Sequence, residues 1–304
     1  MSLKNKPPAI LVTLAFIAIY FVWGTSYLAI VYALKGLPPF TISALRYLAA
    51  GGILTCWLYY QKAQWPQGKD RTILIISGIL MLSGGSGLVV LGEQYISSGF
   101  AAVVMATEPL FFVLFDRGRW KKYFSDPWIP AGLLLGFAGI ALFACFAPDE
   151  AAKDHRHIVL GTLITLISAV SWVIGALLDK HRLSSTSGTI ANSTMQLLAA
   201  GTFSGVVALA KGELPVLWST SIPGSAWCGL AYLVIMGSLV AYLSFNWLIK
   251  VQPPAIVSTH TYVNPIIAVL MGWALAGEQV SSRQIAAFVI VLTGVIITQA
   301  SKQK

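Results

Sequence analysis

The chain has 304 residues, 57% of them hydrophobic and only 10% charged. Soluble domains carry about 25% charged residues, so this composition excludes a soluble globular protein and defines an integral membrane protein. The net charge of +9 sits in short loops between apolar runs, where it reads as an orientation signal and not as a nucleic-acid surface.

Lys4 and Lys6 precede the apolar run Ala9–Leu34. That run is longer than the roughly 7–15 residues of a signal-peptide core and no small-residue cleavage site follows it. A retained first helix is therefore expected. A membrane helix needs about 20 apolar residues, and nine further runs meet that length approximately: Thr41–Tyr60, Thr72–Gly92, Ile96–Phe115, Trp128–Phe146, Ile158–Leu178, Thr189–Ala210, Ser225–Ile249, Ala255–Ala276 and Gln284–Ser301. Pro38–Pro39, Pro215, Pro223 and Pro253–Pro254 punctuate the connections, as expected where helices stop. Ten helices use nearly the whole chain and leave no room for a separate soluble domain. With the N-terminus inside, fourteen lysines and arginines fall on the inner side and five on the outer. This bias predicts a plasma-membrane protein of bacterial inner-membrane type with both termini cytoplasmic. Cys56, Cys145 and Cys228 are widely spaced in apolar runs, which gives neither a disulfide framework nor a metal site.

The two halves resemble each other. SALRYLAAG (Ser43–Gly51) is similar to STMQLLAAG (Ser193–Gly201) at an offset of 150, and AAVVMATEPLFFVL (Ala101–Leu114) to VSTHTYVNPIIAVL (Val257–Leu270) at 156, which aligns Pro109 with Pro265. Five helices per half is an odd number, so equivalent helices would run in opposite directions. An inverted repeat of this kind points to a secondary transporter with its site at the repeat interface. The expected division is residues 1–150 and 151–304.

At YFVWGTSY (Tyr20–Tyr27), PPFTISALRYLAAG (Pro38–Gly51), GEQYISSGFAAVVMATEPLF (Gly92–Phe111), GSLVAYLSFNWLI (Gly237–Ile249), YVNPIIAVLMG (Tyr262–Gly272) and Gly277–Glu278, the chain resembles the EamA family of the drug/metabolite transporter superfamily. The resemblance implies ten helices around a central cavity, with the fifth and tenth peripheral, and alternating-access transport of small organic solutes, usually export. Two features depart from the family pattern. Glu108 stands before Pro109 where an uncharged residue is usual, and DRGRWKK follows Phe115 in place of a Gly-Glu helix end.

Glu108 lies well inside the fourth helix, where a carboxylate costs roughly 2.5–3.5 kcal/mol on insertion scales and function is the default reading. It is a candidate proton carrier or counter-ion to a cationic solute, against a structural hydrogen bond. His260 lies about 7.5 Å in from the start of the ninth helix, at 1.5 Å per residue. It is a coupling partner for Glu108 or a bundle histidine satisfied by its neighbours. His260, Thr261 and Asn264 share one helical face, which reads as a cavity wall or as helix–helix hydrogen bonding. Arg46 either snorkels outward or pairs with Glu93 as an outer gate. Tyr20, Trp23 and Tyr27 at i, i+3 and i+7, with Trp172, Tyr242 and Asn246, form aromatic and polar stripes that serve either packing or an amphipathic solute. Pro109 and Pro265 are expected to kink or hinge their helices. LSGGSG (Leu82–Gly87) lacks the lysine of a phosphate loop and reads as close helix packing.

These readings favour an exporter of small amphipathic solutes (amino acids, related metabolites or drugs) in the lipid bilayer, with a proton or another ion as coupling partner and with no cofactor, metal, nucleic acid or enzymatic activity. A membrane enzyme and a non-transporting scaffold or receptor are the alternatives from other classes.

Overall fold

The structure is a computed structural model that describes residues 7–146, 155–184, 188–218, 221–252, 257 and 259–302. Helices dominate because the apolar runs have no water to satisfy backbone groups and must bond internally. Eight rods are long and apolar enough to cross a bilayer: α1 (Ala9–Leu34), α2 (Pro39–Tyr60), α3 (Gly68–Gly92), α4 (Ser98–Phe115), α5 (Trp128–Cys145), α6 (His155–Arg182), α7 (Thr189–Ala210) and α8 (Gly224–Val251). Two shorter apolar rods follow, α9 (His260–Ala276) and α10 (Ser282–Lys302). No strand occurs among the described residues. The expected start of the ninth helix at Ala255 and the Pro253–Pro254 punctuation lie outside the described residues.

Local chemistry sets the helix ends. Pro39 opens α2 with its fixed φ and a missing N–H that would be unsatisfied there anyway. Ser97 caps α4, its hydroxyl accepting from the Phe100 N–H at 3.3 Å. Gly277 ends α9 in the left-handed region (φ +70°), and the following N–H of Glu278 bonds back to the Gly272 carbonyl at 3.0 Å. Large apolar side chains such as Leu134, Val206, Leu209 and Trp273 point outward. On a chain of this composition they form the lipid-facing surface.

Lipid tails are as apolar as leucine, so small residues and close backbone approach hold such helices together. The α5–α10 seam shows this. A Cβ on Gly294 would meet the Gly136 backbone nitrogen and lie 2.7 Å from the Gly132 carbonyl, and one on Gly139 would lie 2.8 Å from the Val291 nitrogen. In the α2–α7 seam, Gly51 receives Leu198 and Gly201 receives Leu48, each with side-chain carbon 2.8 Å from where a Cβ would be. Because 48 meets 201 while 51 meets 198, α2 and α7 run antiparallel. By the same test α5 and α10 are antiparallel, whereas α1 and α9 run parallel, since Tyr20 meets Thr259, Gly24 meets Ile267 and Tyr32 donates to the Leu275 carbonyl. The end of the bundle where α1 begins is called the terminal face below, and the opposite end the far face.

Three rods widen into π-helical hydrogen bonding, at Ala18–Val22 in α1, Ile79–Gly87 in α3 and Leu233–Ala241 in α8. The LSGGSG run lies in the second of these. Its expected packing role is visible: Ser83 bonds to the Ala200 carbonyl and to Ser204, both at 2.8 Å, and Gly85 admits Trp172. The α4 rod breaks at Ala106–Thr107, and Glu108–Pro109 begin its second segment. Pro265, by contrast, lies inside a continuous α9.

At the terminal face, polar side chains knit the helices. Gln196 of α7 donates to Asp179 of α6 at 2.6 Å and to Ser77 of α3 at 3.1 Å, and it accepts from Tyr242 of α8 at 2.7 Å. Asp116, after α4, holds Lys180 at 3.3 Å and His181 at 3.5 Å.

Candidate solute cavity

A cavity of about 80 Å³ lies between α1, α2, α3, α4, α6 and α9. Its terminal end is closed by interlocked rings. Trp23 meets Trp172 edge-on with centroids 5.9 Å apart, and Phe245 lies 5.1 Å from Trp23 and 6.0 Å from Trp172. His260 completes the set, 5.1 Å from Trp23 and 5.7 Å from Phe245. Edge-to-face and tilted contacts at these distances are the favourable ones. From this floor the cavity follows α1 past Ser26 and Tyr27 to Ile30.

An acid and a base line the walls. Glu108, 8% exposed, has no hydrogen bond among the described residues. The break at Ala106–Thr107 sets its place at the first turn of the second α4 segment. Arg46, 5% exposed, enters from α2, and its Nε donates to Ser238 Oγ at 2.9 Å. That reach depends on Gly237, since a Cβ there would lie 2.8 Å from a guanidinium nitrogen. Arginine carries five N–H donors, and Ser238 takes one.

Trp23, Tyr27, Trp172, Thr261, Asn264, Glu108, His260, Arg46 and Pro265 thus border one space. His260 and Glu108 share it without forming an ion pair among the described residues; the His260 ring donates from Nδ1 to the Val257 carbonyl at 2.9 Å.

Other expected residues lie elsewhere. Tyr20 bonds to Thr259 outside the cavity. The π-helical turn at Ala18–Val22 inserts an extra residue, so the i, i+3, i+7 stripe loses phase there and Tyr20 turns away from Trp23 and Tyr27. Tyr242 and Asn246 face α7, bonding to Gln196 and to Ser193 at 2.8 Å. Pro109 sits beside Glu108 but off the cavity wall. The expected Arg46–Glu93 ion pair is not formed. Arg46 is turned to the π-helical stretch of α8, and neither Glu93 oxygen has a hydrogen-bond partner among the described residues.

Asn264 borders the cavity, yet its amide is committed to helix packing. In the orientation that satisfies it, the nitrogen donates to the carbonyls of Tyr20 at 2.9 Å, Ile19 at 3.2 Å and His260 at 3.1 Å. Two of these acceptors belong to the π-helical turn of α1. Asn264→Leu is therefore expected to lower stability by about 1–3 kcal/mol, the desolvation penalty of buried carbonyls left unpaired. Thermal unfolding in detergent would read this as a lower Tm.

Sequence reasoning missed Ser86, Ala102 and Met105 as lining residues, because small and flexible residues carry no distinctive chemistry. It also missed Gln196 and Asp179. Here a signal existed, since Gln196 stands at the repeat offset of 150 from Arg46.

Helices of this length and apolarity around a cavity that mixes rings with opposite charges make a membrane transporter the class this chain falls in. A family model described as "EamA-like transporter family" matches residues 10–145 and again 159–299. The chain therefore belongs to the EamA-like transporter family. It is 30% identical over 290 residues to the "Uncharacterized inner membrane transporter YedA" of Escherichia coli K12, covering 95% of this chain and 90% of that protein. The "Uncharacterized transporter YvbV" of Bacillus subtilis is 24% identical over 305 residues, covering 96% and 92%. A protein of known crystal structure aligns over 98% of this chain and 99% of its own with a TM-score of 0.63 and 20% identity, a likeness of fold alone.

Proposed function

We propose that the chain is a secondary transporter that exports small amphipathic organic solutes by alternating access. In this reading all ten helices cross the membrane as two inverted five-helix repeats, 1–150 and 151–304, with both termini cytoplasmic. Helix contacts support the repeat. Exchanging α1 with α6, α2 with α7, α3 with α8, α4 with α9 and α5 with α10 maps α1–α9 contact onto α6–α4 and α3–α6 onto α8–α1. The α2–α7 and α5–α10 pairs map onto themselves and are antiparallel, as inversion requires.

The observation that carries the solute class is the pairing of Glu108 and Arg46 on one cavity above a ring floor. An ammonium group suits the Glu108 carboxylate, a carboxylate suits the free guanidinium donors, and an apolar or aromatic body suits Trp23 and Trp172. A zwitterion such as an amino acid satisfies all three. The pocket needs no cofactor in this reading, and no group of three metal-ligating side chains occurs among the described residues.

The test is counterflow in liposomes with labelled amino acids, amines and aromatic cations, with and without a pH gradient. Zwitterions with apolar side chains are expected to exchange fastest, and Arg46→Ala to slow them roughly tenfold while sparing simple amines, since loss of one charged hydrogen bond is about 1.5–3 kcal/mol. Conversion of a solute without its movement would instead favour the enzyme reading.

A further inference from the structure

Glu93 follows the last residue of α3 at the far face, is 8% exposed, and has no hydrogen-bond partner for either oxygen among the described residues. Beside it is a second carboxylate with the opposite circumstances. Glu278, just beyond α9, accepts from Ser98 N–H at 2.8 Å, Ser98 Oγ at 2.6 Å and Gly99 N–H at 3.1 Å. It is the anion that caps the first turn of α4, where unpaired N–H groups and the helix dipole favour negative charge. Four residues of chain separate Glu93 from that turn, and α4 carries Glu108.

We propose that Glu93 binds a proton at the far face, and that this proton sets how firmly Glu278 holds α4 during the transport cycle argued above. With the carboxyl neutral, Glu93 fits its partnerless pocket and Glu278 keeps its three donors. When Glu93 gives its proton to water, a second buried anion without donors faces Glu278, and like charges drive Glu278 off its cap. Hydronium on the far face returns the proton. The step moves one proton between Glu93 and water and breaks no other covalent bond.

The charged and titratable groups on elements packed against this end of α3 are Tyr27 of α1, Arg46 and Tyr47 of α2, Arg156 and His157 of α6, and Glu278. Among the described residues none of them hydrogen-bonds to Glu93; Arg46 donates to Ser238 and His157 stacks on Tyr95. Burial first, and then the Glu278 charge, hold the Glu93 carboxyl well above the usual carboxylate range. The sign follows from that rise. The closed cap is held while Glu93 keeps its proton and weakens as pH climbs through the raised value of Glu93.

The experiment uses the full-length protein in liposomes. The infrared absorption of protonated carboxyl groups is titrated in the wild type and in Glu93→Gln, Glu278→Gln and Glu108→Gln. The difference between wild type and Glu93→Gln should contain a carboxyl band that titrates above the ordinary carboxylate range; the same component should persist in Glu108→Gln and titrate lower in Glu278→Gln, where the like charge is gone. In parallel, amide hydrogen exchange of Ser98–Met105, corrected for its intrinsic pH dependence, should lose about tenfold protection in the wild type as pH rises through that midpoint. In Glu93→Gln it should stay flat. A wild-type minus Glu93→Gln difference without such a band, or wild-type protection of α4 that ignores pH, overturns the proton site. The second readout needs no variant, so it decides even where Glu93→Gln does not fold. Counterflow of labelled phenylalanine on the same liposomes tests the transport reading separately, because its failure leaves both spectroscopic results standing.

Discussion

Glu108→Gln is expected to slow exchange of ammonium-bearing solutes in liposomes by at least tenfold while leaving the thermal stability of the protein unchanged or raised. The two halves of this expectation share one cause. Glu108 borders the cavity with no hydrogen bond among the described residues, so no structural partner is lost when an amide of the same shape replaces the carboxylate. Removing a buried ionisable group without a partner relieves desolvation. A bound ammonium, however, loses a charge-assisted hydrogen bond of about 1.5–3 kcal/mol, and each 1.4 kcal/mol is about tenfold in affinity. Solutes without an ammonium group should be spared. Counterflow rates for an amine and its neutral isostere, set beside Tm values, check both halves at once. Normal amine exchange in Glu108→Gln would sink the assignment.

Gly294→Val is expected to produce the largest loss of stability of any single change considered, about 3 kcal/mol or more. Overpacking usually costs about 1–3 kcal/mol, because side chains can give way. At Gly294 the obstruction is the Gly132–Gly136 backbone of α5, which cannot rotate aside, so the α5–α10 seam itself must open. Gly294→Ala should give a smaller loss in the same direction. Gly52→Ala is the contrast: nothing lies within 4 Å of a Cβ there, and replacing a mid-helix glycine gains roughly 0.5–1 kcal/mol. Thermal unfolding in detergent should rank the four proteins as Gly52→Ala, wild type, Gly294→Ala and Gly294→Val, from most to least stable.

The rods themselves were legible. The expected spans of α1 and α7 match at both ends, and most others within a few residues, because apolar runs closed by proline pairs dictate helices in lipid. The cavity was legible in part. Trp23, Trp172 and Glu108 stand out because rings and a carboxylate at membrane depth are chemically conspicuous. Tyr20 was misplaced because helical phase was counted at 3.6 residues per turn through a stretch that is π-helical. Arg46 was given the wrong partner because sequence offers depth but not which neighbour's backbone leaves space, and Gly237 makes that space on α8. Asn264 reads as a cavity residue by face, and only the carbonyls of the α1 turn reveal its structural commitment.

The nine-residue π-helical stretches of α3 and α8 have a further consequence. A π turn closes its bonds one residue further along the chain than an α turn does, so each stretch holds surplus chain relative to an ordinary helix. Such a surplus behaves like a dislocation in a crystal row. It can glide along the helix one hydrogen bond at a time, and each residue it passes turns by about 100° relative to the rest. Glide in α8 would swing Ser238 away from Arg46, and glide in α3 would turn Ser86 out of the cavity wall. Reorienting the two walls then requires no helix to unfold and no pair of rods to separate.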